Sequence, residues 1–211
     1  MTSLKSRYTD GARRGFFKLG IVLARLGMTA DALTVLGFVL HVAAVPLIVS
    51  GHFVTAALIF IVAALCDALD GAVARAGTGA TRAGAFLDST LDRASELVVS
   101  GALAFYFARE AQWPQLAATL IALGAAFLVS YTRARAEALG TDCRVGWMSR
   151  PERIVVLCVG FLFAGRSVAG VSVLTICVWL LAILTTVTVL HRMAHVLRKL
   201  RLAEEGSTRE G

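Results

Sequence analysis

The chain has 211 residues, of which 57% are hydrophobic, and its mean hydropathy is +0.75. This composition excludes an ordinary soluble globular domain and is typical of a helical protein that crosses a membrane several times. The formal net charge is +7, but the basic residues cluster in a few loops in the way that membrane topology requires, so no nucleic-acid partner is predicted. The four cysteines show no paired spacing that would indicate disulfides or a zinc site.

The first 28 residues form a basic, amphipathic segment before the first apolar run. Within residues 4–26, phenylalanine and leucine alternate with arginine and lysine, as at Phe16, Phe17 and Lys18. This pattern predicts an interfacial helix that lies on anionic headgroups. A plain basic leader that only sets topology explains the same pattern equally well. We therefore treat residues 1–28 as a predicted N-terminal interfacial segment.

Six apolar runs follow, and each is interpreted as a transmembrane helix. They lie at Leu33–Val49, Phe53–Ala74, Gly84–Ala108, Leu116–Ser130, Ile154–Ala164 and Val171–Leu190. A span needs about 20 residues, so several runs reach that length only with their polar ends. The predicted fold class is therefore an all-α integral membrane protein, with six transmembrane helices and an N-terminal interfacial amphipathic helix. The six helices form a domain over residues 29–200, and the polar residues 201–211 are predicted to be a disordered tail.

The charges of the loops predict the orientation of these helices. Both terminal segments and the loops after the second and fourth runs are rich in arginine and lysine, whereas the opposite side has only Arg109 and Arg166. The positive-inside rule then places both termini and the arginine-rich loops in the cytoplasm. The predicted location is the cytoplasmic (inner) membrane, with the chain crossing it several times.

The most informative stretch runs from Asp67 to Asp92 and follows the pattern D-x2-D-G-x2-A-R-x8-G-x3-D-x3-D. Its fixed positions are Asp67, Asp70, Gly71, Ala74, Arg75, Gly84, Asp88 and Asp92. Helical spacing places the first two aspartates on one face of one helix, and the last two on one face of the next. The short connection contains two glycines, which makes the helices antiparallel neighbours. The acidic faces are therefore predicted to meet just inside the cytoplasmic headgroup level.

Carboxylates in a membrane protein are costly and are therefore functional candidates. Four of them close together repel one another, and divalent cations remove that repulsion. Oxygen ligands without histidine or cysteine select Mg²⁺ or Mn²⁺, and two such ions form a common clamp for displacement at phosphorus. Gly71, Ala74 and Gly84 leave room for a ligand near the backbone, and Arg75 is suited to phosphate oxygens.

Two other interpretations of the aspartates stay open. The carboxylates could pair with Arg75, Arg82 and Arg93 for packing alone. The chain could also be an acid-lined ion or proton transporter, although such sites lie near the membrane midplane and these acids cluster at one face.

The aspartate pattern resembles the motif of the CDP-alcohol phosphotransferase family at every fixed position. The resemblance implies an enzyme that moves the phosphoryl group of a CDP-linked lipid or alcohol to an acceptor hydroxyl, releases CMP, and forms homodimers. It implies two ions, Mg²⁺ or Mn²⁺, on Asp67, Asp70, Asp88 and Asp92, with Asp92 also the catalytic base. It also implies that the CDP-lipid is bound by Asp31, Thr34, Asp67, Gly71, Ala74, Arg75 and Gly84.

The choice of acceptor depends on two later stretches, residues 130–137 and 150–153. They resemble those of the actinobacterial phosphatidylinositol phosphate synthases, which use CDP-diacylglycerol and inositol phosphate. By position, Arg133, Arg153 and Arg192 resemble the residues that hold the phosphate of the acceptor. The positive-inside bias alone could also place arginines here. Glycerol 3-phosphate, as in a phosphatidylglycerophosphate synthase, stays open as the acceptor.

Overall fold

The computed structural model describes residues 19–76 and 81–210, which are helical apart from short loops and one hairpin. The described part of α1 is residues 19–25. The other helices are α2 (Ala30–Val49), α3 (Phe53–Ala76), α4 (Arg82–Arg109), α5 (Trp113–Ala138), α6 (Arg150–Leu162) and α7 (Val173–Glu210). Between α6 and α7, the two-residue strands β1 (Ser167–Val168) and β2 (Val171–Ser172) pair antiparallel.

Each of the six apolar runs coincides with one of the helices α2 to α7. Among the described residues, α2, α3, α5 and α7 are long and apolar enough to cross a membrane. Helix α4 carries several charged residues, and α6 has only 13 residues, which is short for a span. The predicted all-α, multi-pass membrane fold is therefore confirmed, whereas the count of six spans stays a prediction.

The predictions for the two ends of the chain have different outcomes. Most of the predicted interfacial segment lies outside the described residues, so that part stays a prediction. The tail was predicted to be disordered over residues 201–211, but α7 continues as a helix to Glu210. The prediction is wrong there because Leu202, Ala203 and Glu204 are strong helix formers that extend a helix which is already nucleated.

The chain divides into two compact units. The first comprises the described parts of Met1–Ile48 and Thr55–Val99, and the second comprises Val49–Val54 and Ser100–Gly211. In the first unit, α2 packs on α3, where the buried ring of His41 meets Phe60 edge-on at a centroid distance of 5.0 Å. In the second unit, α5 and α6 both pack on α7, and Val129 of α5 belongs to a buried apolar cluster with Val189 of α7.

Candidate functional site

A cavity of about 500 Å³ lies in the first unit. Pockets of roughly 300–1,000 Å³ are typical for small-molecule ligands, so this one is large enough for a nucleotide headgroup. It is bounded by the first turns of α2 and α4 and by the last turns of α3. Its polar lining comes from Thr29, Asp31, Thr34, Asp70, Thr81 and Asp88.

Asp70 is the best-defined polar residue of this cavity. Its side chain is buried, with 9% of the residue exposed, and Thr34 Oγ1 of α2 donates a 2.9 Å hydrogen bond to Asp70 Oδ2. The backbone N–H of Gly71 also donates to the carboxylate. Asp67 and Asp88 both lie close enough to act on the charge of Asp70. Three of the four predicted metal ligands are therefore near enough for their charges to interact.

The other aspartates of the motif lie at different places. Asp88 lines the cavity together with Asp70, whereas Asp67 lies against α2, where a Cβ on Gly37 would overlap its Oδ1 atom. The side chain of Asp92 is 15% exposed and lies 3.5 Å from Arg93 Nη1. Asp92 is thus one helical turn beyond the cavity-lining aspartate of α4.

The small residues of the motif line the cavity, as the sequence predicts. Gly71, Ala74 and Gly84 are all part of its wall. A Cβ at Gly84 would lie 2.9 Å from Asp31 Oδ1, so the glycine lets the carboxylate of α2 approach α4 closely. A Cβ at Gly71 would lie 3.3 Å from Arg75 Nη1, which places this exposed guanidinium group beside the cavity. Five of the seven residues predicted to bind the CDP-lipid therefore line one cavity, whereas Asp67 and Arg75 are not part of its wall.

Two helix N-termini face the cavity, and a threonine caps each of them. Thr29 Oγ1 accepts a hydrogen bond from the backbone of Ala32 at 3.1 Å, and Thr81 Oγ1 accepts one from Gly84 at 2.9 Å. Helix N-termini carry positive partial charge and favour anionic groups such as phosphates. Thr81 is absent from the predicted site, although a threonine directly before a predicted helix is a recognisable N-cap pattern.

The donor chemistry of this region fits a divalent metal. Asp67, Asp70 and Asp88 offer only carboxylate oxygens, and hard cations such as Mg²⁺ and Mn²⁺ prefer these ligands. In the described part of the chain, no three acidic, histidine or cysteine side chains are already grouped as metal ligands. Because like charges repel, bringing the carboxylates closer requires cations that neutralise them. Because Gly37 has no side chain, the Asp67 carboxylate can occupy the space that a Cβ at this position would fill.

The three predicted acceptor-binding arginines come together in the second unit. Arg192 is buried at 6% exposure and donates to the carbonyl oxygens of Val129 at 2.6 Å and Val145 at 2.8 Å. Arg133 and Arg153 both lie near enough for their charges to act on Arg192. Arg153 is also buried and donates to a backbone carbonyl, whereas Arg133 is exposed and pairs with a glutamate one turn later on α5.

The loop between α5 and α6 is attached to α7 by residues that sequence reasoning missed. The buried backbone N–H of Met148 donates to Thr188 Oγ1 at 3.2 Å. Gly146 has a φ of +109°, and a Cβ there would lie 2.5 Å from a methyl group of Thr188. No local sequence signal identifies Thr188, because a threonine inside an apolar helix looks like any other small core residue. These contacts place the loop beside Arg192.

Comparison with known proteins agrees with the motif. The CDP-alcohol phosphatidyltransferase family profile matches residues 27–196. A phosphatidylinositol phosphate synthase of Mycobacteroides abscessus is 37% identical over 187 residues, which are 85% of this chain and 82% of the relative. An archaetidylinositol phosphate synthase of Methanothermobacter thermautotrophicus is 37% identical over 182 residues, which are 84% and 87% of the two chains.

Solved structures lead to the same family. The crystal structure of Mycobacterium tuberculosis phosphatidylinositol phosphate synthase with CDP-DAG bound superposes with a TM-score of 0.78 at 35% identity, covering 87% of this chain and 94% of the other. The same enzyme in complex with manganese and citrate also gives a TM-score of 0.78, covering 86% and 88%. The chain therefore belongs to the CDP-alcohol phosphatidyltransferase family and is a membrane phosphotransferase.

Proposed function

We propose that this protein transfers the phosphatidyl group of CDP-diacylglycerol to a hydroxyl of inositol phosphate, which gives phosphatidylinositol phosphate and CMP. Both kinds of curated relative are named as synthases of an inositol phosphate lipid. The relatives thus support inositol phosphate over glycerol 3-phosphate, and the observation that carries a phosphorylated acceptor is the cluster of Arg133, Arg153 and Arg192 in the second unit. Three neighbouring guanidinium groups repel one another, and a phosphate bound between them would relieve that repulsion. The cluster therefore favours an acceptor that carries a phosphate.

The cavity of the first unit is the proposed site of the CDP-lipid headgroup. Its diphosphate would lie between the capped N-termini of α2 and α4, where positive partial charge is available. Thr34, Gly71 and Gly84 line this space and leave room for phosphate oxygens near the backbone. The exposed guanidinium group of Arg75 would pair with these oxygens from the side of α3, while the acyl chains extend into the bilayer.

Two divalent ions, Mg²⁺ or Mn²⁺, are the proposed cofactors, held by Asp67, Asp70, Asp88 and Asp92. When bound, such ions neutralise charge on the diphosphate and on the oxygens that attack and leave. The manganese complex of the tuberculosis enzyme supports a metal of this class. The hydrogen bond from Thr34 holds Asp70 in one orientation, which is the usual task of a residue behind a metal ligand.

The proposed chemical step is an in-line displacement at the phosphorus that carries the diacylglycerol. Asp92 accepts the proton of the acceptor hydroxyl, and the acceptor oxygen forms a bond to that phosphorus. The bond from the phosphorus to the oxygen of CMP breaks, and CMP leaves with the electron pair. In this structure Asp92 Oδ2 lies 3.5 Å from Arg93 Nη1, so its carboxylate contacts a cation of the same helix.

The acceptor phosphate is proposed to bind the arginine cluster. Arg192 and Arg153 are partly engaged by backbone carbonyls, which fix the directions of their guanidinium groups. Arg133 has an exposed ion pair with Glu137 at 2.9 Å, and such surface pairs contribute little stability. A phosphate with two negative charges can therefore replace Glu137 as the partner of Arg133 at small cost.

The proposal includes the membrane topology that the sequence predicts. Six spans would cross the cytoplasmic (inner) membrane, with both termini and the active site on the cytoplasmic side, and residues 1–28 would lie on the headgroups. The charge asymmetry of the loops supports this orientation. A homodimer is proposed from the family resemblance.

The test is a vesicle assay with CDP-diacylglycerol that measures CMP release for three acceptors: inositol phosphate, glycerol 3-phosphate and free inositol. We expect release with inositol phosphate, its loss with EDTA, and its return with Mg²⁺ or Mn²⁺. A preference for glycerol 3-phosphate would contradict the inositol assignment and make the protein a phosphatidylglycerophosphate synthase. Equal use of free inositol and inositol phosphate would contradict the role of the arginine cluster.

A further inference from the structure

Helix α2 carries no residue of the aspartate motif but contacts its first two aspartates. Thr34 donates to Asp70, and Gly37, one turn later on α2, faces Asp67. A turn further on, His41 meets the ring of Phe60. Successive residues along α2 therefore contact residues of α3 that come progressively earlier in the chain, so the two helices run antiparallel. Both aspartates are turned toward α2.

Gly37 is buried, and its missing side chain is what admits the Asp67 carboxylate. A Cβ at this position would overlap Asp67 Oδ1 and would lie 3.4 Å from the carbonyl oxygen of Ala63. The carbonyl belongs to the hydrogen-bonded backbone of α3 and cannot retreat. An added methyl group would therefore displace the carboxylate, which is at the end of a side chain that can rotate.

We infer that Gly37 is a positioning residue that holds Asp67 in the orientation its metal role requires. This inference rests on the proposed function, because it needs Asp67 to be a metal ligand. Residues behind a metal ligand typically change metal affinity by roughly 10- to 100-fold, because an ion tolerates small errors in ligand position poorly. Glycine is also a poor helix former, so its presence in the middle of an apolar helix is better explained by close approach than by helix stability.

Close helix packing without any effect on the metal is the competing explanation. It predicts that a larger residue at Gly37 lowers stability but leaves metal affinity unchanged in the protein that stays folded. The positioning role instead predicts that the effect of the larger residue depends on the Asp67 carboxylate. A double-mutant cycle separates the two, because residues in contact show non-additive effects and independent ones do not.

The experiment measures Mn²⁺ binding to the purified protein in detergent, from the electron paramagnetic resonance signal of free Mn²⁺. Gly37→Ala and Asp67→Asn should each raise the half-saturating Mn²⁺ concentration by about tenfold or more, and the double variant should bind no more weakly than Asp67→Asn. Gly124→Ala is the matched control, because this glycine is also inside a helix and its added Cβ would meet no atom within 4 Å beyond its chain neighbours and the backbone of its own helix. The control should bind Mn²⁺ as the wild type does.

The outcomes separate this inference from the proposed function. If Asp67→Asn weakens Mn²⁺ binding and Gly37→Ala does not, the positioning role is wrong and the metal role of Asp67 stands. If Asp67→Asn leaves Mn²⁺ binding unchanged, the metal role is wrong and the inference falls with it. If Gly37→Ala does not fold, the double variant Gly37→Ala, Asp67→Ala should fold again, since the opposing carboxylate is gone. Recovery is seen as a monodisperse protein in size-exclusion chromatography, and no recovery would contradict the contact between Gly37 and Asp67.

Discussion

The two compact units hold their charged groups in opposite ways. In the first unit, Asp70 and Asp88 face a cavity, and the aspartates act on one another through space. In the second unit, Arg153 and Arg192 are directed by hydrogen bonds to backbone carbonyls, and Arg133 pairs with Glu137. The acidic groups of the first unit thus face a space that a ligand can enter, while two of the three arginines already have part of their hydrogen-bonding capacity in use.

Under the proposed function, this difference would separate two tasks within one reaction. A site that must bind ions needs unneutralised charge, which is costly in a membrane protein and persists only where function requires it. A site that must recognise a phosphate needs donors with fixed directions, and backbone carbonyls can fix them without cancelling the charge. Substitutions in the first unit should therefore abolish turnover, whereas substitutions in the second should alter acceptor recognition.

The largest effect is expected for Asp70→Asn, Asp67→Asn and Asp88→Asn. Each removes a carboxylate of the proposed metal site, and loss of turnover by roughly 10³-fold or more is expected, as for other groups that stabilise charge in the transition state. CMP release from vesicles measures it. Asp142→Asn is the matched control, because this aspartate pairs with Arg144 on the surface, with its side chain 60% exposed. Normal turnover in all three variants would remove the contrast between the units.

The next effect concerns the proposed base. Asp92→Asn should lower the rate of the chemical step by about 10²-fold or more while CDP-diacylglycerol still binds. Equilibrium binding of the CDP-lipid and single-turnover CMP release, measured on the same preparation, separate the two steps. If binding is lost together with the rate, Asp92 acts mainly on the metals, and the base is another group.

A more selective effect is expected for the arginine cluster. Arg153→Ala should raise the KM for inositol phosphate by roughly tenfold to 100-fold, because a charge-assisted hydrogen bond contributes about 1.5–3 kcal/mol, while the affinity for the CDP-lipid changes little. Arg144→Ala is the control, since this arginine is 76% exposed at the side chain and belongs to the same loop region.

The sharper part of this prediction is non-additivity. Removing the phosphate from the acceptor should harm the wild type about as much as Arg153→Ala does, and should do far less additional harm to the variant. Arginines that only set topology would give independent effects. Arg153→Lys tests geometry separately, because lysine keeps the charge but loses the planar fork of donors.

The smallest effect is expected for Thr34→Val, which removes the hydrogen bond to Asp70 but keeps the shape of the side chain. The loss of one bond to a charged group should weaken Mn²⁺ binding by about tenfold. Thr119→Val is the control, because this buried threonine donates only to a carbonyl of its own helix, at 2.8 Å. An equal effect of both substitutions would mean that α2 contributes packing rather than orientation.

Spacing along the chain was sufficient to predict the part of the site that two neighbouring helices build. Asp70, Gly71 and Ala74 lie within one helix, so helical periodicity alone places them on one wall. Gly84 and Asp88 follow on the next helix after a short connection. The structure places all of these around one cavity, as the pattern indicated.

The parts that could not be predicted depend on contacts between distant positions. Thr188 receives Met148 from 40 residues away, and Gly37 faces an aspartate that is 30 positions further along the chain. Neither residue differs locally from an ordinary small residue of an apolar helix. The helical state of residues 201–210 was missed for another reason, since polar composition suggested disorder while helix propensity and the adjoining helix determined the result.

Helix α7 is much longer than the hydrocarbon core of a bilayer is thick. Its 38 residues are about 57 Å long at 1.5 Å per residue, nearly twice the hydrocarbon thickness of about 30 Å. Arg192 is the twentieth residue of this helix, so it lies one hydrocarbon thickness from the β1–β2 hairpin. In a thicker bilayer, hydrophobic mismatch would draw the guanidinium group toward the acyl chains, whereas in a thinner bilayer it would tilt the helix. Acceptor affinity should therefore be sensitive to lipid chain length.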